Sequence, residues 1–384
     1  MMSKTDSQTA SIVCVGNRWF PIASGGAERY IYELIHYLVG SGDLVELCAT
    51  DLPASEAHSS PLLTKLASAE QVLLQRLWSC YFQFQERGFT IPDAINIHFA
   101  LYGLAALPHL PKDIPITFTF HGPWALESQQ EGEKKFSIFF KQQIENRVYQ
   151  RCDRFIVLSK AFGNILHKHY RIPWDKIHII PGGVNTTHFQ PNLSRDQART
   201  QLGWPTDRPI LFTPRRLVQR MGVDKLLDAM TQVKRQFPEV WLAIAGKGLQ
   251  RDTLERQAQA LDLQQHVKFL GFLPDEQLPI AYQAADLTVV PSQSLEGFGL
   301  ILVESLACGT PALCTPIGGM PEILRPFSPE LITETHHADA IAQRIIDLLN
   351  GAIALPSRQA CRDYSCTRFD WNIIAPQVRQ VLLR

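Results

Sequence analysis

EGFGLILVE, residues 296–304, stands between DLTVVPS (286–292) and ACGTPALCT (307–315). Two carboxylates lie eight residues apart around a Gly-Phe-Gly turn. The apolar run before the turn reads as a buried strand and the run after it as a helix. Backbone N–H groups at a helix start are unpaired, and the helix dipole favours negative charge there. Glu304 is expected two turns into that helix. There it is too far down to repel an anion at the mouth, and it is placed to accept from hydroxyls. It falls among Leu300, Ile301, Val303 and Leu306, where a lone carboxylate is costly to bury. Gly297 and Gly299, on either side of Phe298, permit close approach of a ligand to the backbone. The stretch therefore predicts a ligand with phosphates at one point and hydroxyls beside it, which is the shape of a nucleotide sugar.

The same strand-then-helix alternation runs through the chain. In the first half, strands are expected at 11–17, 44–50, 94–99, 115–122, 154–159 and 177–184. Helices are expected over 27–39, 134–151 and from Ser159, as cap, to His167. The segment 53–90 reads as mixed and largely helical. Residues 185–208, polar and proline-bearing, read as a linker. The pattern then restarts, with strands at 209–215, 240–248, 267–273, 286–292 and 311–316 separated by helices. The tail 369–384 reads as an amphipathic helix after a break. Alternation in both halves predicts two doubly wound α/β domains with largely parallel sheets, whose ligands bind beyond the carboxyl ends of the strands. The expected domains are 1–190 and 191–366, with 367–384 crossing back to the first.

Length and composition set the outer bounds. A chain of 384 residues exceeds one small core, and 45% hydrophobic with 19% charged residues is ordinary globular composition. Lys+Arg and Asp+Glu are 37 each, so no global basic field argues for nucleic acid. The eight cysteines form no CxxC pair or zinc spacing, which suits reduced thiols in a cytoplasmic protein. The first residues lack the apolar core of a signal peptide, and no stretch is long enough to span a membrane. Peripheral membrane contact, at the inner face, stays open; the Lys- and Phe-bearing helix 134–151 reads first as a packed amphipathic helix. VGNRWF after the first strand lacks the GxGxxG fingerprint, which disfavours a dinucleotide-dependent dehydrogenase.

Taken jointly, the motifs carry a resemblance that extends over nearly the whole chain. EGFGLILVE with SLACGTPALCTPIGGMPEIL, SGGAERYIYELIHYL, TFHGPW, RFIVLSKAFGNIL, IIPGGVNTTHFQP, AGKGLQRDTLE and GFLPDEQLPIAYQAADLTVVPS resemble the retaining glycosyltransferases of family 4. The resemblance implies the GT-B fold, two Rossmann-like domains facing across a cleft. It implies that backbone amides around Gly297, Phe298, Gly299 and Leu300 hold a diphosphate. Glu304 would accept from ribose hydroxyls, and Glu296 would touch hydroxyls of the donor sugar. PRRLVQRMGVDKLL (214–227) resembles the family's basic phosphate loop, in which a Lys follows an Arg by five residues. Aligning Arg216 with that Arg puts Met221 at the Lys position. Arg220, one residue earlier, then supplies the charge; alternatively Arg215 and Arg220 restore the spacing of five. Arg216 with Arg220 is the preferred pair, because preorganised cations stabilise a leaving diphosphate.

Four further positions complete the expected site. Lys247 ends the AIAG strand near phosphate or base, or is a solvent-facing turn lysine. Phe272 stacks on the nucleobase or fills core. Gly25-Gly26, before a helix, covers the donor phosphates or shapes the acceptor pocket. His121 ends an apolar strand before Gly122-Pro123 and orients sugar hydroxyls; His98, His178 and His188 have no comparable argument. The resemblance implies retaining transfer of a sugar from a nucleotide sugar, UDP-glucose first and GDP-mannose second, to a saccharide or lipid-linked acceptor. Exopolysaccharide or envelope polysaccharide synthesis is the expected setting. No cofactor and no metal site are expected, Arg residues and helix amides standing in for a cation. Two alternatives are a GT-B nucleotide-sugar epimerase and a non-catalytic nucleotide-sugar-binding partner protein.

Overall fold

The computed structural model describes residues 9–53, 61–68, 70–87 and 91–384. The chain divides into two compact units, residues 1–129, 133–183 and 371–384 in the first and residues 130–132 and 184–370 in the second. The chain thus passes between units after Gly183 and after Asp370, where the expected boundaries stood at 190 and 366.

The first unit carries seven strands: β1 (Ser11–Val15), β2 (Leu44–Ala49), β3 (Leu62–Lys65), β4 (Ala94–Ile97), β5 (Ile116–Phe120), β6 (Arg154–Val157) and β7 (Ile177–Ile179). They form one sheet in the order β3-β2-β1-β4-β5-β6-β7, and every pair is parallel. The second unit has β8 (Ile210–Pro214), β9 (Trp241–Ala245), β10 (Val267–Gly271), β11 (Leu287–Val290) and β12 (Ala312–Cys314), in the order β10-β9-β8-β11-β12 and again all parallel. Both sheets are doubly wound, as the alternation predicts. Helices cover their faces, so β4, β5, β9, β11 and β12 are buried throughout and are mostly apolar, with Asn96, Thr117, Thr119 and Thr288 as buried polar exceptions. The strand order reverses beside β1 in the first sheet and beside β8 in the second, which marks the two places where a ligand crevice opens.

Three segments depart from expectation. Within 53–90, Leu62–Lys65 is an edge strand on β2, and Leu73–Arg87 is the helix; residues 54–60, 69 and 88–90 lie outside the described residues. The presumed linker 185–208 contains a helix, Arg195–Leu202, started by a Ser194/Gln197 capping box and ended at Gly203 in the left-handed region. That helix docks through Arg199, whose guanidinium reaches Asp286 Oδ2 at 2.7 Å and the Ala284 carbonyl at 2.9 Å. The break before the tail is itself a helix, Arg358–Phe369, capped by Ser357. The last helix, Trp371–Leu382, buries Trp371, Ile374, Val378 and Leu382 within the first unit. Arg379 forks onto buried Asp43 at 2.7 and 2.8 Å, and Trp371 fills the space that a side chain at Gly183 would need. Among the described residues no helix is long and apolar enough to cross a membrane.

Candidate active site

In the second unit, β8 and β11 are neighbours and end side by side. Arg215 follows β8 and is buried; its Nη2 donates to Glu296 Oε2 at 2.6 Å and to Ser292 Oγ, and lies 2.7 Å from Met221 Sδ. Ser292 Oγ in turn donates to the same carboxylate oxygen at 3.1 Å. Burial pushes the Glu296 carboxyl up, but Arg215, then Arg220 and Ser292, outweigh it and hold the pKa below the usual value. The carboxylate is therefore ionised across the physiological range.

The loops that hold this pair pack backbone to backbone. Gly222 adopts φ +71, and a side chain there would strike the Pro291 carbonyl at 1.9 Å. Gln293 N–H donates to the Arg220 carbonyl at 2.9 Å, and buried Arg220 donates from Nη1 to the Leu295 carbonyl at 3.3 Å. Met221, buried at the position where a lysine was expected, packs against Arg215 instead of presenting charge. Arg216 is exposed, unlike its neighbour Arg215. Of the loop's arginines, Arg215 and Arg220, five residues apart, are buried, Arg215 bonds Glu296 directly and both lower its pKa.

The helix after the Gly-Phe-Gly turn is Leu300–Ala307, with Gly299 as cap at φ +99 and no side-chain hydrogen bond to the first amides. Its mouth is thus lined by backbone N–H groups. Glu304 begins the second turn of the helix, nearer its mouth than expected. It is buried, and Tyr282 Oη donates to its Oε2 at 2.8 Å. Phe298 is buried edge-on to Phe369, so only its backbone is available to a ligand. Gly297 precedes it in the same turn. Lys247 follows β9, is exposed, and places Nζ 5.2 Å from the ring centroid of Phe272 after β10. Phe272 is 49% exposed, so it does not fill core.

The first unit presents a different surface at its own reversal point. His98 follows β4 and His121 follows β5; His98 Nδ1 lies 3.1 Å from His121 Nε2, with the ring planes 19° apart and the centroids 5.3 Å apart. Loss of solvent pushes His121 down to about 4 and, with His121 beside it, holds His98 well below its ordinary value. Both rings are neutral at physiological pH. Tyr30, on the helix Gly26–Gly40, packs edge-on to His121 at 5.0 Å, which brings the Gly25-Gly26 helix against the histidine. Glu28 folds back over Gly25 and accepts from Asn17 Nδ2 at 3.2 Å, so this helix start carries an acid of its own. Beyond His121, buried Glu145 accepts from the Ala125 amide at 3.3 Å and from Tyr170 Oη at 2.8 Å. Burial pushes its carboxyl up to about 7.

Ser292, Tyr282, Asn96 and His98 were not singled out by sequence, yet each bonds a predicted residue or its neighbour. One signal was present: AINIHF and ITFTFHG both end an apolar strand in histidine.

Comparison with known proteins follows this geometry. Residues 24–188 match the family model described as Glycosyltransferase Family 4, and residues 194–367 match the one described as Glycosyl transferases group 1. The chain belongs to glycosyltransferase family 4. A family relative is the GDP-mannose-dependent monoacylated alpha-(1-6)-phosphatidylinositol monomannoside mannosyltransferase of Corynebacterium glutamicum, 32% identical over 53% of this chain and 55% of the relative. The match spans about half the length of such relatives. A D-inositol 3-phosphate glycosyltransferase of Thermobispora bispora is 27% identical over 93% of this chain and 89% of its own. Among solved structures, sucrose-phosphate synthase from Thermosynechococcus elongatus covers 97% of this chain and 98% of its own at 24% identity and TM-score 0.82. Anabaena HepE in complex with UDP-glucose covers 97% and 99% at 19% identity and TM-score 0.73. These likenesses show the family 4 fold, GT-B.

Proposed function

We propose that this family 4 chain transfers a sugar from a nucleotide sugar to a hydroxyl of a saccharide or lipid-linked acceptor, with retention at the anomeric carbon. The observation that carries the reading is the buried Arg215–Glu296 pair beside the Leu300–Ala307 helix mouth, with Glu304 in the second turn. Arg215, Arg220 and the amides of Gly297 to Leu300 take the diphosphate; arginine forks suit phosphate oxygens and ionised acceptors suit hydroxyls. Glu304 accepts from the ribose, Phe272 with Lys247 borders the base, and Glu296 holds hydroxyls of the transferred sugar. His121 is a neutral contact for sugar hydroxyls. Glu28 over Gly25 disfavours phosphate there, so Gly25-Gly26 is assigned to the acceptor side.

In the reaction, the bond from the anomeric carbon to the diphosphate oxygen breaks as the acceptor oxygen bonds the same face. The departing phosphate oxygen takes the acceptor proton, and Arg215 and Arg220 stabilise the charge left on the diphosphate. No protein nucleophile and no metal are used. UDP-glucose is the proposed donor, the chain acting in the cytoplasm, at the membrane face where the acceptor is lipid-linked, in exopolysaccharide or envelope polysaccharide synthesis. The test is transfer from UDP-glucose, UDP-galactose, ADP-glucose and GDP-mannose to a panel of saccharide and lipid-linked acceptors, with the anomeric configuration read by NMR. An α-linked glucoside from UDP-glucose is expected. Mannosyl transfer from GDP-mannose, the donor in the C. glutamicum relative's name, would overturn the donor. Products formed without acceptor would favour an epimerase. Binding without turnover would favour a partner protein.

A further inference from the structure

We infer that Asn96 and His98 are positioning residues that fix the ring tautomer of His121, so that His121 offers an N–H at Nδ1 to a sugar hydroxyl; this rests on the reading of His121 as a sugar contact. Four side chains carry the inference, Thr119, Asn96, His98 and His121, and the first three are buried. Thr119 Oγ1 donates to Asn96 Oδ1 at 2.9 Å. With its oxygen so engaged, the Asn96 amide turns Nδ2 toward His98 Nε2 at 2.9 Å. An amide nitrogen only donates, so Nε2 of His98 is the bare, accepting nitrogen.

A neutral imidazole carries one proton, which on His98 therefore sits on Nδ1. That atom faces His121 Nε2 at 3.1 Å. Two N–H groups cannot share one hydrogen bond, so His121 Nε2 accepts and the His121 proton sits on Nδ1. Solvent exclusion keeps both rings uncharged, so this polarity is not erased by double protonation. The hydrogen bond to His98, whose ring plane lies within 19°, and the Tyr30 edge hold the His121 plane. The direction of the chain is thus set at a strand interior, on β5, and delivered to the strand end, where a ligand meets it. The donor at Nδ1 matches a hydroxyl through its oxygen and leaves that hydroxyl's own proton free for an acceptor.

The direct test is 15N NMR of the histidine ring nitrogens in the full chain, with His98→Gln and His121→Ala used for assignment. Protonated Nδ1 and bare Nε2 on His121 are expected; the reverse tautomer would overturn the proposal. The kinetic arm compares His98→Leu with His98→Gln. A glutamine donates from its amide nitrogen and accepts through its oxygen, so it preserves the polarity of the chain. His98→Leu is expected to lower kcat about 10-fold or more while nucleotide affinity holds, and His98→Gln to recover to within about 3-fold of wild type. Equal loss in both variants would mean a merely structural role. His121→Ala separates the two readings: if it keeps full kcat, the assignment of His121 as a sugar contact fails, whatever its tautomer.

Discussion

In the second unit, the strands flanking the reversal point, β8 and β11, lead into Arg215 and Ser292, and the helix beyond carries Glu304. In the first unit, the equivalent strands, β1 and β4, lead into Gly16 and His98, with His121 on the next strand. Both sheets share one winding and both open at the carboxyl ends of their strands. The second is charged there, with two buried arginines facing a carboxylate. Around His98 and His121 the first is uncharged, with two imidazoles kept unprotonated and a tyrosine edge against them, while the acid Glu28 lies over Gly25. Winding sets where a ligand meets the chain, and the few residues after each strand set what it meets. A charged end suits a diphosphate; a neutral polar end suits hydroxyls, which a strong local charge would not discriminate.

The contrast makes predictions of decreasing size. Arg215→Ala should lower kcat/KM about 100- to 1,000-fold, as the loss of a preorganised charge does, while Arg216→Ala stays within about 3-fold. Steady-state kinetics decides; the opposite ranking would return the diphosphate to Arg216. Glu304→Ala should weaken nucleoside diphosphate binding about 10- to 100-fold by calorimetry, the range for a hydrogen bond to a charged group. An unchanged Kd would remove Glu304 from the ribose.

In the first unit a pH effect above pH 5 belongs to Glu145. Its folded pKa, about 7, stands above the unfolded carboxylate value of about 4.3. The folded state thus holds this proton more tightly. Its stabilising contribution is complete below about pH 4 and is lost as pH rises through 7. Glu145→Gln, neutral throughout, should therefore gain on wild type between pH 5 and pH 8, by on the order of 2 kcal/mol in thermal unfolding. A gap that is constant with pH would mean the carboxyl titrates normally. The smallest effect belongs to Phe298. Phe298→Leu should cost about 1 kcal/mol of stability and leave nucleotide affinity unchanged, because only the backbone there faces a ligand.

How much of this was legible in the sequence follows the same division. The charged end was nearly readable, because its groups cluster in two short stretches, 214–227 and 286–304. What escaped was which arginine turns inward: Arg215 and Arg216 are adjacent, and a one-residue choice depends on the pleat and on the close approach of Gly222 to Pro291. The partners Ser292 and Tyr282 escaped because neither residue type is unusual in its stretch. The neutral end was harder, since Asn96, His98, Thr119 and His121 come from two strands, and their meeting requires the β4–β5 register. The helix Arg195–Leu202 was hidden by a polar composition that resembles a linker; its cap and its buried Arg199 become visible only once Asp286 is beside it.

The central claim is that the charged end of the second unit binds a nucleoside diphosphate. Thermal unfolding of the full chain, with UDP, GDP and ADP in turn, tests it most directly, since a ligand of the folded state raises the melting temperature in proportion to the logarithm of its concentration. The account predicts a rise with UDP that exceeds those with GDP and ADP and disappears in Arg215→Ala. A melting temperature unmoved by any of the three nucleotides would contradict it.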